Sequence, residues 1–378
     1  MGVEWNARTM GRYQRQMVLP GVGFDGQRRL LESRVLIVGA GALGSAAATY
    51  LVAAGVGVLG LVDGDTVELS NLHRQIVHDE EQVGSPKTES AAARLRAMNS
   101  DVTVVQHPYY LSRDNALDLF AQYDLIVNGS DNFPTRYLVN DAAVFTKKPL
   151  VDAAILRFEG HLAVYRPGFG CYRCLFPTPP PPGSVPDCAT AGIFGAVAGV
   201  LGSMEAVEAL KILLDLARPR TNTFLVYEAL EGAFSRMPLR RDLDCVVCGE
   251  HPQITELVDY ENFCGLPDAA NLSLVGTPGV DDFSIAVKDA QRLVENQAMT
   301  IVDVRSRSEF DSSHIEGAHH CLLEDLDGLL LDETKDSVLV VCAIGVRSAY
   351  AADYLRSRGI RAWTLAGGMA AWESQRPS

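Results

Sequence analysis

Two pairs of cysteines have the spacing of metal-binding knuckles. Two residues separate Cys171 from Cys174, and two separate Cys245 from Cys248. Four thiolates at this spacing suit a closed tetrahedral Zn²⁺ site that ties two distant segments together. Such a site has no open coordination position, so its role would be structural. Unrelated buried cysteines and a redox dithiol are the alternatives.

Another cysteine, Cys342, begins a short loop that ends at Arg347. The loop follows an apolar run, 337–341, and precedes a predicted helix. In such a loop, backbone N–H groups and the helix N-terminus face the sulfur and stabilise a thiolate or persulfide without a base. Because Arg347 is the only charged side chain of the loop, a persulfide donor protein is at least as good a match as thiosulfate. A structural cysteine is the alternative.

Cys188 follows a proline-rich stretch, 176–186, which we expect to be a loop, and it precedes a glycine-rich helical run. A thiol beside a helix N-terminus can have a lowered pKa and can be brought to an activated carbonyl. A buried or incidental cysteine is the alternative. Cys264 and Cys321 have no partner pattern, and we interpret them as ordinary residues.

A glycine-rich turn, formed by Gly39, Gly41 and Gly44, joins the apolar run 35–38 to an alanine-rich helical segment. Between a strand and a helix, such small residues let backbone N–H groups approach phosphates. Asp63 ends the next apolar run, 19 residues beyond Gly44, where a carboxylate can accept ribose hydroxyls. This pattern alone predicts a nucleotide-binding fold, and its default interpretation is an NAD(P)- or FAD-dependent oxidoreductase.

Cations follow the second predicted strand. Ser85 as N-cap and Pro86 at the first helical position would put Lys87 in the first turn of a helix. The helix dipole disfavours a cation there, which indicates an anion nearby. Together with Arg74 and Arg15, Lys87 could meet a triphosphate. Solvated surface charges are the alternative.

The remaining pattern predicts the fold. Strands and helices alternate from residue 34 to about 150, as in a doubly wound α/β sheet, and two further apolar runs suggest an antiparallel extension. Asp131 follows the run 125–128, at the sheet edge where open α/β folds bind ligands and where a carboxylate can hold Mg²⁺. Residues 251–282 lose periodicity, so we predict a linker between a first domain, 1–250, and a smaller α/β domain, 283–378.

The composition excludes several classes of partner. The 378 residues carry a net charge of −14, so the excess of Lys and Arg that nucleic acid or an anionic membrane surface requires is missing.

The longest apolar run, 191–204, is too short to span a bilayer. Its four glycines at helical spacing predict a buried, closely packed helix. We find no secretory signal and expect a cytoplasmic protein whose cysteines are ligands or nucleophiles rather than disulfides.

Residues 11–249 resemble the ThiF/MoeB family of ubiquitin-activating-type adenylyltransferases. The shared motifs are Arg12-Tyr13, Arg15-Gln16, the glycine-rich turn, Asp63-Gly-Asp65, Ser70-Asn-Leu-His-Arg74, Lys87, Ser130-Asp131-Asn132 and both cysteine pairs. The resemblance implies a Rossmann-like mixed sheet that binds ATP, with Zn²⁺ at the knuckles. The nucleotide-binding residues that it implies are Gly39, Gly41, Ala42, Gly44, Asp63, Asp65, Ser70, Asn71, Arg74, Gln75, Lys87, Asp131 and Asn132.

The resemblance assigns roles to some of these residues. Asp63 would hold the ribose, Asn71, Arg74 and Lys87 the phosphates, and Asp131 the Mg²⁺ ion. Arg15 would reach the ATP site of the other protomer in a homodimer. Ala42 stands where many relatives have a third glycine, and we expect no loss from a residue so small. The family adenylylates the C-terminal glycine of a small ubiquitin-like sulfur carrier that ends in Gly-Gly. Cys188 would take the acyl group or resolve a later disulfide.

Residues 283–378 resemble a single rhodanese domain. The motifs are Asp303-Val-Arg305, Glu309-Phe310, His314-Ile315, Gly317-Ala318, Leu365-Ala-Gly-Gly368 and the length of the Cys342 loop. The fusion resembles the adenylyltransferase-sulfurtransferases of molybdopterin, thiamine, tRNA-thiolation or related pathways. It implies that a donor such as a cysteine desulfurase loads Cys342 with a persulfide, and that the carrier leaves as a thiocarboxylate. The catalytic residues would be Cys342, Cys188, Arg347, Asp131 and Arg15.

Three rival functions remain at this point. The rhodanese domain could serve only as a docking module for an adenylyltransferase, with no sulfur chemistry at Cys342. The chain could be a nucleotide-dependent oxidoreductase, although that leaves Lys87 and Arg74 unexplained. It could also be a non-catalytic scaffold that binds a ubiquitin-like partner.

Overall fold

The computed structural model describes residues 5–180, 192–216, 223–265, 283–296, 299–305, 307–322, 325–326, 337–343 and 345–374. Contacts divide the chain into two compact units. The first comprises Met1–Pro177 and Ala191–Tyr260, and the second comprises Thr178–Thr190 and Glu261–Ser378. Among the helices in the described ranges, none combines the length and the hydropathy that crossing a membrane requires.

A mixed sheet forms the centre of the first unit. Its strands are β1 Arg34–Val38, β2 Val58–Val62, β3 Thr103–His107, β4 Leu125–Asn128, β5 Leu150–Leu156, β6 Glu159–Tyr165, β7 Thr223–Glu228 and β8 Ala233–Pro238. They form an eight-stranded sheet in the order β3-β2-β1-β4-β5-β6-β7-β8. The strands from β3 to β5 run parallel, and β6, β7 and β8 extend the sheet antiparallel. The predicted sheet and its antiparallel extension are confirmed.

Helices pack on both faces of this sheet. They are α1 Ala7–Met17, α2 Gly23–Glu32, α3 Ala42–Ala54, α4 Lys87–Met98, α5 Ala116–Ala121, α6 Phe133–Thr146, α7 Tyr172–Leu175 and α8 Gly195–Leu214. Val35, Leu36 and Ile37 in β1 are fully buried, as expected of a central strand covered on both faces. In the sheet, β1 lies between β2 and β4. The connection from β1 leads to β2 on one side, and the connection from β4 leads to β5 on the other side. Such a reversal leaves a crevice at the carboxyl ends of β1 and β4.

The start of α4 differs from the prediction. Pro86, not Ser85, is the residue before the helix, and its ψ of 133° is not helical. The reason is that Pro86 forms a β-bridge with Thr66, while the carbonyl of Ser85 accepts the N–H of Val67 at 2.9 Å. Lys87 is nevertheless in the first turn, as predicted.

Close packing of α8 against its neighbours depends on two of the four predicted glycines. A Cβ at Gly202 would overlap the carbonyl oxygen of Leu43 in α3, and one at Gly195 would lie 2.6 Å from the carbonyl oxygen of His73. The prediction is wrong for Gly199, which has no atom within 4 Å of its Cβ position. It is also wrong for Gly192, which precedes the helix and has a φ of +81°.

A second, parallel sheet forms the centre of the second unit. Its strands are β9 Ser284–Ile285, β10 Thr300–Asp303, β11 His319–His320, β12 Ser337–Val341 and β13 Arg361–Leu365, and they lie in the order β11-β10-β12-β13-β9. The helices are α9 Tyr260–Gly265, which begins at the end of the first unit, α10 Val287–Glu295, α11 Arg307–Ser312, α12 Val346–Ser357 and α13 Gly368–Ser374. Apolar clusters bury both faces of the central strand β12. The smaller α/β domain is confirmed.

Part of the predicted linker folds onto the first unit. The N–H of Ile254 donates to the carbonyl oxygen of Val246 at 2.9 Å, and the Ile254 side chain is buried beside the two cysteine pairs. Tyr260 donates its hydroxyl to Asp141 at 2.8 Å. Residues 266–282 lie outside the described residues.

The two glycines of α8 provide a matched test of this packing. We expect Gly202→Ala to destabilise the protein by about 1–3 kcal/mol, because α3 and α8 must move apart. Gly199→Ala should stabilise it by about 0.5–1 kcal/mol, because alanine favours the helix and meets no neighbour. Urea denaturation of both variants measures these changes. Equal effects of the two substitutions would contradict the packing described here.

Candidate functional site

The glycine-rich turn lies at the crevice between β1 and β4. Gly39 has a φ of +89°, and a Cβ there would lie 3.1 Å from the carbonyl oxygen of Gly129, which follows β4. A Cβ at Gly44 would overlap the carbonyl oxygen of Gly39. The two glycines therefore let the chain turn sharply into α3, whose first N–H groups have no acceptor within the helix. Such an arrangement suits a phosphate.

Asp63, the first residue after β2, holds this turn in place. Its Oδ2 accepts the backbone N–H of Ala40 at 2.8 Å, and its Oδ1 accepts the N–H of Asp65 at 2.8 Å. Burial raises the pKa of Asp63, and Lys87 and these two N–H groups oppose that rise. Each carboxylate oxygen keeps a second lone pair, which a ribose hydroxyl could use.

His78 supports the same turn from the other side, and the sequence analysis missed it. Its Nε2 lies 3.0 Å from the carbonyl oxygen of Ala40, and its Nδ1 lies 2.9 Å from the Ser90 hydroxyl. Since a carbonyl can only accept, we infer that Nε2 carries the proton and that Nδ1 accepts from Ser90. Burial lowers the pKa of His78, so the ring is neutral at pH 7. No spacing or motif marks this residue in the sequence.

Lys87 has an acidic partner in the structure. The Lys87 side chain is 9% exposed, and its Nζ lies 2.8 Å from Oδ2 of Asp65. Tyr110 donates its hydroxyl to Oδ1 of Asp65 at 2.7 Å. Although burial opposes the change, hydrogen bonds from Lys87 and Tyr110 lower the pKa of Asp65. The anion that the position of Lys87 indicated is therefore the Asp65 carboxylate, which a bound phosphate would have to replace.

The polar stretch after β2 packs against the start of α8 and the glycine-rich turn. Asn71 is buried, and its Oδ1 accepts the N–H of Glu68 at 3.3 Å. Arg74 donates to the carbonyl oxygen of Ser70 at 3.0 Å. Gln75 lies next to Gly41, and its buried Oε1 has no hydrogen-bond partner among the described residues. The Gln75 side chain therefore holds, beside the turn, an acceptor oxygen to which no described residue donates.

Asp131 and Asn132 follow β4 at the crevice. Asp131 is exposed, and within the described ranges its carboxylate has no ion-pair partner and accepts no hydrogen bond. Asn132 is the N-cap of α6, and its Oδ1 accepts the N–H of Thr135 at 2.9 Å. An exposed carboxylate at this edge has the oxygen ligands that Mg²⁺ prefers.

A buried ion pair holds the loop that carries Asp131. Arg136 Nη1 lies 2.5 Å from Asp152 Oδ1, which also accepts from Asn128 at 2.7 Å. The other Arg136 terminal nitrogen, Nη2, donates to the carbonyl oxygen of Ser130 at 2.9 Å. No spacing or motif in the sequence marks this pair, because Arg136 in α6 and Asp152 in β5 meet only when the helix packs on the sheet. The pair fixes the backbone directly before Asp131.

Arg15 lies on the exposed face of α1. Its neighbours on this helix are engaged: Arg8 and Arg12 pair with Asp101 at 3.0 and 3.3 Å. Arg15 itself is exposed and has no ion-pair partner in the part of the chain that the structure describes. The structure does not join it to the glycine-rich turn by any contact within one protomer.

The structure brings the two cysteine pairs together. The Sγ atoms of Cys171, Cys174, Cys245 and Cys248 all lie within 4.8 Å of one another, with Cys171 and Cys245 at 3.7 Å. Four sulfurs at about 2.3 Å from a tetrahedral Zn²⁺ would be about 3.8 Å apart, so the cluster fits this ion. Contacts with the other three sulfurs, and burial, raise the pKa of the Cys171 thiol. A bound cation would reverse that effect.

A second buried ion pair anchors this cluster to α6. Arg173, between the first two cysteines, donates from Nη2 to Oδ2 of Asp141 at 2.8 Å and from Nε to Oδ1 at 2.9 Å. Asp141 also accepts the Tyr260 hydroxyl. The Tyr172 N–H donates to Asn140 at 2.7 Å. The knuckle is therefore fixed by charge as well as by apolar packing.

Cys342 lies at the carboxyl end of β12, the central strand of the second sheet. Its Sγ accepts the backbone N–H of Gly345 at 3.1 Å and lies 3.5 Å from the Ser348 hydroxyl. Gly345 has a φ of +95° and immediately precedes α12. The Cys342 side chain is fully buried. The expected contact between backbone N–H and sulfur is present.

Arg347 has a carboxylate partner outside the loop. Its Nη2 lies 3.0 Å from Oε1 of Glu309 in α11, and its Nη1 lies 3.2 Å from Oε2. Arg347 is 1% exposed, so this charge is neutralised and largely removed from solvent. The pair holds the start of α12 against α11. Cys188, the other predicted nucleophile, lies outside the described residues.

Comparison with known proteins finds a family match in each part of the chain. Residues 13–247 match the ThiF family, and residues 286–375 match the rhodanese-like domain. The chain is 52% identical to the sulfur carrier protein adenylyltransferase of Thermus thermophilus, over 70% of this chain and 100% of the relative. It is 43% identical to the adenylyltransferase and sulfurtransferase MOCS3 of Mus musculus, over 96% of this chain and 85% of the relative.

A solved structure shares the fold of about two-thirds of the chain. The crystal structure of E. coli MccB with MccA-N7isoASN superposes with a TM-score of 0.56 at 25% identity, covering 65% of this chain and 76% of that one. Together with the match over residues 13–247, this similarity assigns the first unit. The chain therefore belongs to the ThiF family, and a rhodanese-like domain follows its ThiF domain.

Proposed function

We propose that this chain uses ATP to adenylylate the C-terminal glycine of a small ubiquitin-like sulfur carrier ending in Gly-Gly. It then converts that glycine to a thiocarboxylate with sulfur carried on Cys342. The observation that carries the proposal is the presence of two complementary centres in one chain. One is a glycine-rich crevice with a buried lysine. The other is a cysteine loop in which the backbone N–H of Gly345 donates to the Cys342 sulfur.

In the first step the carrier carboxylate attacks the α-phosphate of ATP. The bond between the α-phosphorus and its bridging oxygen breaks, and pyrophosphate leaves. Asp63 accepts the ribose hydroxyls, and Lys87, Arg74 and Asn71 bind the phosphates. When Lys87 turns from Asp65 to the phosphates, its charge stabilises the leaving group. Asp131 would hold Mg²⁺, which neutralises phosphate charge when bound.

In the second step sulfur replaces the adenylate. The terminal sulfur of a Cys342 persulfide attacks the acyl carbon, AMP leaves, and an acyl disulfide links the carrier to Cys342. A second thiolate, which we assign to Cys188, attacks Sγ of Cys342 and releases the carrier thiocarboxylate. The resulting disulfide between the two cysteines must then be reduced by an external thiol. In the alternative order, Cys188 first takes the acyl group from AMP as a thioester.

The proposal includes the partners and setting that the sequence indicated. A persulfide donor such as a cysteine desulfurase loads Cys342, and the protein acts in the cytoplasm. Two chains form a homodimer in which Arg15 reaches the partner's ATP. The exposed position of Arg15 supports that role. We also propose two domains, 1–250 and 283–378, joined by a linker. Residues 251–260 of that linker belong to the first compact unit.

Adenylylation should depend on Asp131. We expect ATP–pyrophosphate exchange only when the carrier is present, and Asp131→Ala should lower the exchange rate about a hundredfold or more, because phosphate charge is no longer neutralised. Asp118→Ala removes an exposed carboxylate from α5 and should change nothing. Exchange that is equal in both variants would contradict the assignment of Asp131.

Sulfur loading should be separable from adenylylation. After treatment with a persulfide donor, intact-protein mass spectrometry should show one added sulfur atom, and Cys342→Ser should abolish it. The same variant should retain pyrophosphate exchange, because the two steps use different centres. If Cys342→Ser still yields thiocarboxylate, the rhodanese domain is a docking module only.

The four-cysteine cluster should hold one structural Zn²⁺ ion. Elemental analysis should find one Zn²⁺ per chain, and Cys174→Ser should remove it and lower the melting temperature, because metal binding contributes to folding. Cys264→Ser is the matched control and should keep the ion. If the wild-type protein contained no metal and Cys174→Ser had the same melting temperature as the wild type, this assignment would be contradicted.

A further inference from the structure

A cavity of about 260 Å³ lies in the first unit beside the four-cysteine cluster. The end of α6, the start of β5, the end of β6 and the turn after it, and residues 247–249 form its wall. Its lining includes Cys248 but none of the predicted nucleotide-binding residues. Pro167 and Gly168 in the wall are exposed, so the cavity reaches solvent.

The charges that line this cavity are all positive. Lys148 and Arg166 are both half-buried, and the described part of the lining contains no Asp or Glu. Neither cation has an ion-pair partner among the residues that the structure covers, whereas the more deeply buried Arg136 and Arg173 each pair with an aspartate. Two unpaired cations at one cavity, in a chain with a net charge of −14, favour an anionic occupant.

Tyr165 supplies a second, independent indication. This lining residue is 4% exposed, and its hydroxyl has no hydrogen-bond partner within the described residues. A buried hydroxyl without a partner costs stability unless a ligand or water satisfies it. Burial raises the pKa of Tyr165 well above its usual range, so the hydroxyl keeps its proton and can donate. Ala143, Val144 and Leu150 give the cavity an apolar wall.

We propose that this cavity binds a small organic anion, whose carboxylate or phosphate lies between Lys148 and Arg166 and accepts the Tyr165 hydroxyl. The apolar part of the ligand packs along Ala143, Val144 and Leu150. This site goes beyond adenylylation and sulfur transfer and shares no residue with the nucleotide site. Because the ligand binds the folded protein next to Cys248, it stabilises the region around the cysteine cluster.

Three probes of similar size test the proposal on the full-length, Zn²⁺-loaded protein. Phenyl phosphate and phenylacetate are anions, and benzyl alcohol is a neutral analogue. Isothermal titration calorimetry should show saturable binding of at least one anion. The alcohol should bind at least tenfold more weakly. Whichever anion binds more tightly shows whether the site prefers a phosphate or a carboxylate. Absence of saturable binding for both anions, or equal binding of the alcohol, overturns the proposal.

Matched variants locate the binding. Lys148→Gln and Arg166→Gln should each weaken the preferred anion about tenfold, as expected for the loss of one charged hydrogen bond. Lys147→Gln changes the neighbouring exposed lysine and should have no effect. If the anion binds equally well to all three variants, it occupies another site, and the proposal fails.

Tyr165→Phe separates ligand binding from structure. Without ligand, the variant should be at least as heat-stable as the wild type, because no hydrogen bond is lost. It should bind the anion several-fold more weakly, because the donor is missing. A lower melting temperature without ligand, or undiminished binding, would show that the hydroxyl is not the donor to the anion.

Discussion

The candidate nucleotide site depends on two hydrogen bonds that the Asp63 carboxylate accepts. By accepting the N–H groups of Ala40 and Asp65, it joins the ends of β1 and β2 into one rigid edge. Asp65, oriented in this way, holds Lys87 at the first turn of α4. The hydrogen bonds of Asp63 and Asp65 therefore couple the glycine-rich turn to Lys87, and Lys87 must leave Asp65 if it is to bind a phosphate.

The two centres apply the same physical principle in unrelated sheets. In each, a buried central strand ends, a glycine with positive φ turns the chain, and a helix begins: Gly39 at +89° in the first unit and Gly345 at +95° in the second. In the second unit the Gly345 N–H donates to the Cys342 sulfur, and in the first unit the start of α3 presents the kind of backbone donors that suit a phosphate. Buried ion pairs, Arg136 with Asp152 and Arg347 with Glu309, hold the adjoining loop or helix in position.

The sequence predicts what is local and misses what depends on crossing elements. The glycine motif, Asp63 and the cysteine pairs have fixed spacings, and the alternation of strands and helices identifies the sheets. His78, Tyr110 and the Arg136–Asp152 pair have no such signal, because their roles arise only when distant segments meet. For the same reason, the sequence indicated an anion near Lys87 but not that Asp65 would supply it. It could not separate Gly202, which contacts α3, from Gly199, which does not.

One chain performs both activation of the carrier and sulfur transfer to it. The most direct test is a single-turnover reaction with ATP, a persulfide donor and a carrier ending in Gly-Gly, followed by mass spectrometry of the intact carrier. We expect a carrier in which one oxygen of the C-terminal carboxylate is replaced by sulfur, formed only with ATP and the donor both present. A carrier that stops at the acyl-adenylate, although Cys342 is fully loaded with sulfur, would contradict it.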